Sequence, residues 1–307
     1  MSTSAVVFGY GDVGVRCTRV LLARGVDVRL IVTHEDDPLE TRWYSSLADF
    51  ATEAGIPVIA PARPDERLAV RVRALAPDFI FSFYYRQLLP GALLEIPGSG
   101  ALNMHGSLLP RFRGRAPVNW AVLHGATQTG ATLHYMSSRA DAGDIVDQAA
   151  VPIGENDTAH EVFLRVTDAA ETVLKRSLPL LVAGTAPRTA QDLSKGEYCG
   201  RRRPEDGRIE WWRTAREIHN LVRAVAPPFP GAFANFDGER WMIARTRMLP
   251  GRTGAGALLK LHADAGRCVI TCADGERLEL LEAADPRGPV DLATLRTRLE
   301  RSAIAVS

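Results

Sequence analysis

The sequence has little cysteine, almost no lysine and no excess of one charge. Its 307 residues include four cysteines, whose scattered positions indicate no disulfide framework, so we expect a reduced, cytoplasmic setting. The 37 Lys and Arg residues are matched by 36 Asp and Glu residues, and only three of the 37 are lysines. A chain with this balance has no bulk positive field for a nucleic-acid backbone. We attribute the abundance of arginine mainly to overall composition.

Long hydrophobic runs and metal-ligand patterns are also missing. No apolar run reaches the ~18–20 residues that a membrane-spanning helix needs, and the first four residues lead directly into an apolar strand, so neither membrane insertion nor a signal peptide is expected. Cys268 and Cys272 lie four positions apart without a second pair of ligands. The sequence therefore predicts no metal site.

Apolar strand-like runs alternate with helical patterns in the first half of the chain. Strands are predicted at 5–8, 28–32, 56–59 and 79–85, and helices at 13–23, 45–54 and 67–75. Thr158 and Glu161 form a capping-box pattern that opens a long helix ending near residue 181. This alternation predicts an α/β fold with a Rossmann-like, mostly parallel sheet and helices on both faces.

The character of the sequence changes after Pro187. Residues 187–208 are polar and basic, and short strands with turns follow, including an Asp237-Gly238 hairpin turn. We therefore predict a catalytic domain at 1–190, a linker at 191–208 and a small OB-like β-barrel domain at 209–307.

A glycine fingerprint follows the first predicted strand. Residues 9–14 read Gly-Tyr-Gly-Asp-Val-Gly, the spacing typical of dinucleotide-binding turns, and acidic residues follow at 35–37. A parallel sheet also needs a tight glycine turn before its first helix. The motif alone therefore leaves an NAD-binding enzyme and a structural turn open.

The stretch 101–148 contains the residues best suited to chemistry. If residues 102–105 end a parallel strand, Asn103 and His105 project to the same side, towards the ligand crevice. A carboxamide can stabilise an oxyanion, an imidazole can transfer protons near neutral pH, and a carboxylate such as Asp141 can orient the imidazole. By spacing alone, Asn-x-His is short and common, and structural roles for these residues are favoured.

The same stretch resembles the signature of a known family. The run Asn-Met-His-Gly-Ser-Leu-Leu-Pro at 103–110, Arg-Gly-Arg-Ala-Pro at 113–117 and Asp-Ala-Gly at 141–143 are similar to those of 10-formyltetrahydrofolate-dependent formyltransferases. Further segments resemble the UDP-4-amino-4-deoxy-L-arabinose formyltransferase sub-family, at 81–86, 116–120, 199–202, 219–225 and 230–233. The resemblance covers residues 5 to about 245 well and the rest loosely.

The resemblance implies roles for individual residues. Asn103 would stabilise the oxyanion, His105 would transfer protons and Asp141 would tune the imidazole. The co-substrate 10-formyltetrahydrofolate would lie against a set of residues in three segments: Gln87, Leu88, Leu89, Arg115, Ser137, Ser138, Arg139, Ala140 and Asp141. The glycines at 9, 11 and 14 would serve as turn geometry, since this family binds no dinucleotide there.

The implied reaction is formyl transfer to the 4-amine of UDP-4-amino-4-deoxy-L-arabinose, in lipid A modification and polymyxin resistance. The alternatives are another sugar-nucleotide N-formyltransferase, methionyl-tRNA formyltransferase and an NAD-dependent oxidoreductase or a non-catalytic nucleotide-binding module. The balanced charge and the acidic segment 35–40 weigh against tRNA. The sequence leaves open the acceptor sugar and base, whether His105 acts first as base or acid, and whether the chain forms a homo-oligomer.

Overall fold

The computed structural model describes residues 2–35, 42–252 and 259–306, so most of the acidic segment 35–40 lies outside the described residues. The strands within these ranges are β1 (Ser4–Gly9), β2 (Asp27–Val32), β3 (Val58–Ile59), β4 (Phe79–Phe83), β5 (Gly100–His105), β6 (Arg113–Gly114), β7 (Gln128–Tyr135), β8 (Ile145–Pro152), β9 (Tyr198–Cys199), β10 (Ala232–Phe236), β11 (Glu239–Leu249), β12 (Lys260–Asp264), β13 (Arg267–Thr271), β14 (Arg277–Asp285), β15 (Gly288–Pro289) and β16 (Ile304–Ala305). The α helices in the same ranges are α1 (Gly11–Ala23), α2 (Leu47–Glu53), α3 (Glu66–Ala74), α4 (Gly91–Leu94), α5 (Pro117–Leu123), α6 (Ala159–Val182), α7 (Ala215–Val225) and α8 (Leu292–Leu299).

The chain divides into two compact units, and each is assembled from separated segments. The first consists of Met1–Pro117, Gln128–Pro152 and Phe163–Gly200. The second consists of Val118–Thr127, Ile153–Val162 and Arg201–Ser307. The sequence-based domain boundaries stay a prediction.

The first unit is built on a seven-stranded sheet in the order β3-β2-β1-β4-β5-β7-β8. The first five of these strands run parallel, while β7 is antiparallel to β5 and β8 is antiparallel to β7. The carboxyl ends of the five parallel strands therefore meet at one edge, where open α/β sheets bind their ligands. The predicted Rossmann-like, mostly parallel sheet is confirmed.

Alternation along the central strands explains how the sheet is covered. Val6 and Phe8 of β1 and Ile80 of β4 pack on one face against α3 and against Leu93 of α4. The side chains of Phe79, Phe81 and Phe83 point to the opposite face, where neighbouring rings stack with centroids 5.5 and 5.7 Å apart. These strands are apolar on both faces, as a sheet buried on both sides requires.

The helix start predicted at Thr158 is confirmed. The Glu161 backbone N–H donates to Thr158 Oγ1 at 3.2 Å, and the Thr158 backbone N–H donates to Glu161 Oε2 at 2.7 Å. This reciprocal cap satisfies two amide groups that have no partner inside the helix, and the acidic side chain suits the positive end of the helix dipole. The helix α6 ends just before Gly184, whose φ is +69°.

The second unit contains a curled antiparallel sheet in the order β10-β11-β14-β13-β12-β16, with β15 paired to β14. A bridge between Phe236 and Val306 links its two edges and curls the sheet towards a barrel. Asp237 and Gly238 form the predicted hairpin turn, both with positive φ, as a type I′ turn requires. The predicted small OB-like barrel domain is confirmed.

Candidate active site

The strand β5 lies between β4 and β7 in the first unit's sheet, and it carries two polar side chains to the ligand-binding edge of that sheet. Asn103 and His105 alternate with Leu102 and Met104, which are fully buried, so the two polar side chains share one face of the sheet. Asn103 is half-buried and His105 is buried. The buried apolar side chains anchor β5 in the core, and β5 thereby positions Asn103 and His105.

Asp141 reaches the same place from the loop after β7. Its Oδ1 lies 3.6 Å from His105 Nδ1 and accepts a hydrogen bond from Asn103 Nδ2 at 3.3 Å. Its φ is +52°, in the left-handed region that a non-glycine residue adopts only at a cost. The structure thus brings the three residues predicted as catalytic into one cluster.

Gly114 explains why a glycine lies between two arginines in the motif 113–117. Its backbone N–H donates to Asp141 Oδ2 at 2.9 Å, and its φ is +99°. A Cβ at this position would lie 2.3 Å from the backbone oxygen of Cys199. Only glycine therefore allows the backbone to approach the carboxylate closely enough to donate this hydrogen bond.

The hydrogen bonds of His105 determine which ring nitrogen is available. Its Nε2 lies 2.8 Å from the backbone oxygen of Phe112, an acceptor, so Nε2 carries a hydrogen and donates it. The other nitrogen, Nδ1, faces Asp141. In the neutral ring Nδ1 holds the lone pair, and a proton taken up there would be stabilised by the carboxylate.

His134, which belongs to none of the sequence motifs, also lies in this cluster. It pairs with Asn103 across β5 and β7, and its side chain is only 1% exposed. Its Nδ1 donates to the backbone oxygen of Tyr135 at 2.8 Å, so Nε2 accepts from Asn103 Nδ2 at 3.2 Å. The available sequence signal was the alternation of the polar Thr132 and His134 with the apolar Leu133. That signal becomes useful only once the antiparallel register is known.

The Asp141 carboxyl is held in its charged form. Burial alone raises its pKa, because the carboxylate loses water. The His105 and His134 imidazoles, which attract it when protonated, and the Gly114 N–H oppose burial and hold the pKa well below its usual range. Asp141 is therefore a permanent negative charge beside His105 at neutral pH.

The residues expected to hold folate lie in three segments of the same unit. Gln87, Leu88 and Leu89 follow β4; Leu88 is 73% exposed, whereas Leu89 packs against the core cluster that also contacts Met136. The Gln87 amide nitrogen, Nε2, donates to the backbone oxygen of Ala62 at 2.9 Å. Exposed apolar surface at the edge of a buried cluster suits a flat aromatic ligand.

The other two segments are Arg115 and the loop 137–141. Arg115 Nη2 donates to the backbone oxygen of Arg86 at 3.2 Å, which ties it to the segment after β4. Ser137, Ser138 and Arg139 are exposed, and Ser137 Oγ donates to the backbone oxygen of Arg139 at 2.9 Å. Ala140 is partly buried next to Asp141.

An aromatic cluster contacts the segment after β4. His34 Nε2 accepts a hydrogen bond from the Arg86 backbone N–H at 2.9 Å, and its ring stacks on Tyr85 with centroids 4.2 Å apart. Burial, and then the charge of Arg86, lower the pKa of His34 to about 4. His34 is therefore neutral at physiological pH and remains available as an acceptor.

The three glycines of the fingerprint at 9–14 lie in a closely packed turn. A Cβ on Gly9 would lie 2.8 Å from Leu47 Cδ2, and one on Gly14 would lie 3.0 Å from the same atom. Gly11 has a φ of +59°. Each glycine therefore has a steric or backbone reason in the turn itself.

The described part of the chain holds no candidate metal cluster, disulfide or membrane span. Across residues 2–35, 42–252 and 259–306, no three His, Cys, Asp or Glu side chains are grouped as a metal ion would need. The four cysteines all lie in these ranges and are buried free thiols. In the same ranges, no helix combines the length and apolarity needed to cross a bilayer.

Two family models match the chain. One, described as Formyl transferase, matches residues 6–178, which is more than half of the sequence. The other, described as Formyl transferase, C-terminal domain, matches residues 202–290.

Several solved structures share the fold. An N-formyltransferase from Helicobacter canadensis, in complex with folinic acid and dTDP-3-aminofucose, is 20% identical with a TM-score of 0.71, covering 91% of this chain and 99% of that chain. A 4-N formyltransferase from Francisella tularensis is 20% identical with a TM-score of 0.62, covering 75% and 91%. Glycinamide ribonucleotide transformylase 1 from Symbiobacterium toebii is 25% identical with a TM-score of 0.53, covering 62% and 93%.

Proposed function

This chain belongs to the formyl transferase family, and we propose that it transfers a formyl group from 10-formyltetrahydrofolate to the amine of a nucleotide-linked amino sugar. The observation that carries the proposal is the cluster in which Asp141 Oδ1 lies 3.3 Å from Asn103 Nδ2 and 3.6 Å from His105 Nδ1. The Helicobacter relative, whose description names folinic acid and dTDP-3-aminofucose, supports the same donor and acceptor classes.

The acceptor we propose is the 4-amine of UDP-4-amino-4-deoxy-L-arabinose, which would place the enzyme in lipid A modification and polymyxin resistance. The sequence resemblance at 81–86, 116–120 and 219–225 supports this acceptor. The Francisella relative, described as a 4-N formyltransferase, is consistent with transfer to a 4-amine. Other amino-sugar nucleotides remain outcomes of the test below.

The reaction assigns a role to each residue of the cluster. The neutral amine attacks the formyl carbon, and negative charge develops on the formyl oxygen. The bond from that carbon to the folate nitrogen then breaks, and the proton that the amine loses is balanced by the proton that the folate nitrogen gains. We assign proton transfer to His105 Nδ1, because Nε2 is engaged with Phe112 and Asp141 faces Nδ1.

Asn103 would donate to the formyl oxygen. Both of its amide hydrogens are engaged within the cluster, one with His134 and one with Asp141. The bond to Asp141 is the longer of the two, at 3.3 Å, and we propose that this N–H turns to the oxyanion as charge develops.

We propose that folate binds along Gln87–Leu89, Arg115 and the loop 137–141, with Leu88 offering exposed apolar surface to its ring. The cytoplasmic location and the absence of nucleic-acid partners stay predictions from the sequence, which leaves the oligomeric state open.

The proposal is tested by a product assay. Purified protein is incubated with 10-formyltetrahydrofolate and, in separate reactions, UDP-4-amino-4-deoxy-L-arabinose, dTDP-3-aminofucose and methionyl-tRNA, and products are identified by mass spectrometry. N103A serves as the matched inactive control. Formylation of the UDP sugar supports the full proposal, whereas formylation of the dTDP sugar alone supports the reaction class and rejects the acceptor. Formylated methionyl-tRNA alone, or no formylated product, rejects the proposal.

A further inference from the structure

The segment after α6, which the sequence divides between the first domain and a linker, lies against the loop that carries Asp141. The Arg188 guanidinium lies over the Tyr135 ring, 3.7 Å from its centroid. Thr189 exchanges two backbone hydrogen bonds with Ile145, at 2.8 and 2.9 Å. These contacts hold both ends of the loop between β7 and β8.

The same segment continues to the motif 113–117. The Glu197 backbone oxygen accepts from the Arg113 N–H at 3.1 Å, and the Cys199 backbone oxygen accepts from the Arg115 N–H at 2.9 Å. Residues 188–199 therefore connect the two backbone segments that supply Asp141 and its N–H partner Gly114. We refer to residues 188–199 as the clamp segment.

Gln191, in the clamp segment, contacts the Asp141 loop through its side chain. Its Nε2 donates to the backbone oxygen of Asp141 at 3.1 Å and to that of Gly143 at 2.6 Å. Two carbonyl acceptors fix the orientation of the amide, since its oxygen facing them would be repelled. Gly143 is closely packed as well, because a Cβ there would lie 2.0 Å from the Tyr135 backbone oxygen.

We propose that Gln191 is a positioning residue for formyl transfer, which holds the Asp141 loop so that the carboxylate stays against His105. The inference rests on the proposed function for its catalytic readout. Asp141 has a left-handed backbone conformation, which costs a non-glycine residue free energy and which contacts to its backbone help to hold. Gly114 fixes one carboxylate oxygen, and Gln191 fixes the backbone of the same residue from the other side.

The two ends of the Gln191 amide differ in their hydrogen bonding, which allows a substitution that separates a positioning role from a structural one. Its Oε1 is buried and has no hydrogen-bond partner among the described residues. An unpaired buried acceptor is destabilising. Replacement by Met removes this unpaired acceptor together with the two donated bonds, so the effects on stability partly cancel while the effect on Asp141 remains.

The ionisation of Asp141 reports on its position. The groups that face it are His105 from β5, His134 from β7, Asn103 and the Gly114 N–H. If the loop relaxes, these contacts lengthen while burial persists, and the carboxyl pKa rises towards or above its ordinary value.

The test compares Q191M and Q191N with the wild type, with K195A as the matched control. Lys195 lies in the clamp segment, is exposed and pairs only with Asp192 in the described structure. We expect kcat to fall about 10- to 100-fold in Q191M, because small displacements of catalytic groups have effects of that order. We also expect little change in KM for the folate donor, with a smaller effect on kcat in Q191N and none in K195A.

A second measurement does not depend on activity. The Asp141 carboxyl is titrated by carbon NMR in folded wild type and Q191M, and the variant should titrate at higher pH. Unchanged kcat, or a reduced kcat with an unchanged carboxyl titration, would overturn the positioning role. If the wild type forms no formylated product while the carboxyl titration still shifts in Q191M, the proposed function fails and the loop-holding role of Gln191 stands.

Discussion

Asn103 and His134 lie directly opposite each other on the antiparallel strands β5 and β7, and Asn103 Nδ2 donates to His134 Nε2 at 3.2 Å. The other ring nitrogen of His134 donates to the Tyr135 backbone oxygen, so the tautomer that accepts from Asn103 is fixed by the backbone. His134 thereby orients the amide that we assign to the oxyanion.

The first prediction concerns His134. H134F keeps an aromatic ring in this buried position but removes the acceptor, so the Asn103 amide loses one of the two hydrogen bonds that orient it. We expect kcat to fall about 10- to 100-fold with little change in KM for either substrate. H134Q, whose side-chain oxygen can accept, should retain more activity than H134F. Initial rates of formylation measure both variants, and equal rates in wild type and H134F would contradict the role.

The second prediction concerns the charge of Asp141. D141N preserves the shape and one acceptor for the Gly114 N–H but removes the negative charge beside His105. We expect kcat to fall about 10²- to 10⁴-fold, as when the carboxylate partner of a catalytic histidine is neutralised. Steady-state kinetics at neutral pH measure this change. A loss below tenfold would show that the charge is not needed.

The stability of the same variant should depend on pH. The folded state holds the Asp141 pKa below its unfolded value, so its contribution is complete above about pH 4 and is lost as pH falls through the folded pKa. We expect D141N to be less stable than wild type by about 1–3 kcal/mol at pH 7, with the gap narrowing below pH ~4. Urea unfolding at several pH values measures the gap. A gap that stays constant with pH would contradict this assignment.

The third prediction concerns Arg223, a buried guanidinium in the second unit that is only 6% exposed. It donates to Asn220 Oδ1 from two nitrogens, at 2.9 and 3.0 Å. It also donates to three backbone oxygens at 3.3–3.4 Å, those of Val122, Gly154 and Asp157. Burial lowers the pKa of this group, and its neighbours must replace the lost water. Arg223 therefore joins α7 to two chain segments that are distant in sequence.

We expect R223A to lower the free energy of unfolding of the protein by about 2–4 kcal/mol, because several buried acceptors lose their donor at once. R223K should recover only part of this, since an ammonium group cannot reproduce the planar fork of a guanidinium. The exposed Arg301 provides the control R301A, which should leave the thermal midpoint unchanged. A midpoint for R223A equal to that of R301A would reject the joining role.

Local patterns predicted much of the fold correctly. The alternation of apolar runs with helical spacing indicated the parallel strands β1 to β4, and the Thr158–Glu161 pair indicated the start of α6. Asp237-Gly238 indicated the β10–β11 hairpin because both positions need positive φ. Each of these features is determined by residues close together in the sequence, so local patterns are sufficient to predict it.

Long-range pairing limited the prediction of the site. Spacing alone did not distinguish Asn103 and His105 from structural residues, and the family resemblance supplied their roles together with Asp141. The structure brings the three together, while their catalytic roles stay predictions. His134 was missed because its role depends on the antiparallel register of β7 against β5, which no local pattern specifies. Gln191 was missed because polar residues after a helix are typical of linkers, whereas this one contacts a loop 48 to 50 positions away.

The most direct test of the account is single-turnover formyl transfer from 10-formyltetrahydrofolate by wild type, N103A and H105A. All three are first shown to be folded by circular dichroism and thermal unfolding, with R301A as a neutral control. The account predicts that both site variants lose about 10²- to 10³-fold or more in rate, because one loses the oxyanion donor and the other the proton-transfer group. Rates close to wild type in both variants would contradict the assignment of the active site.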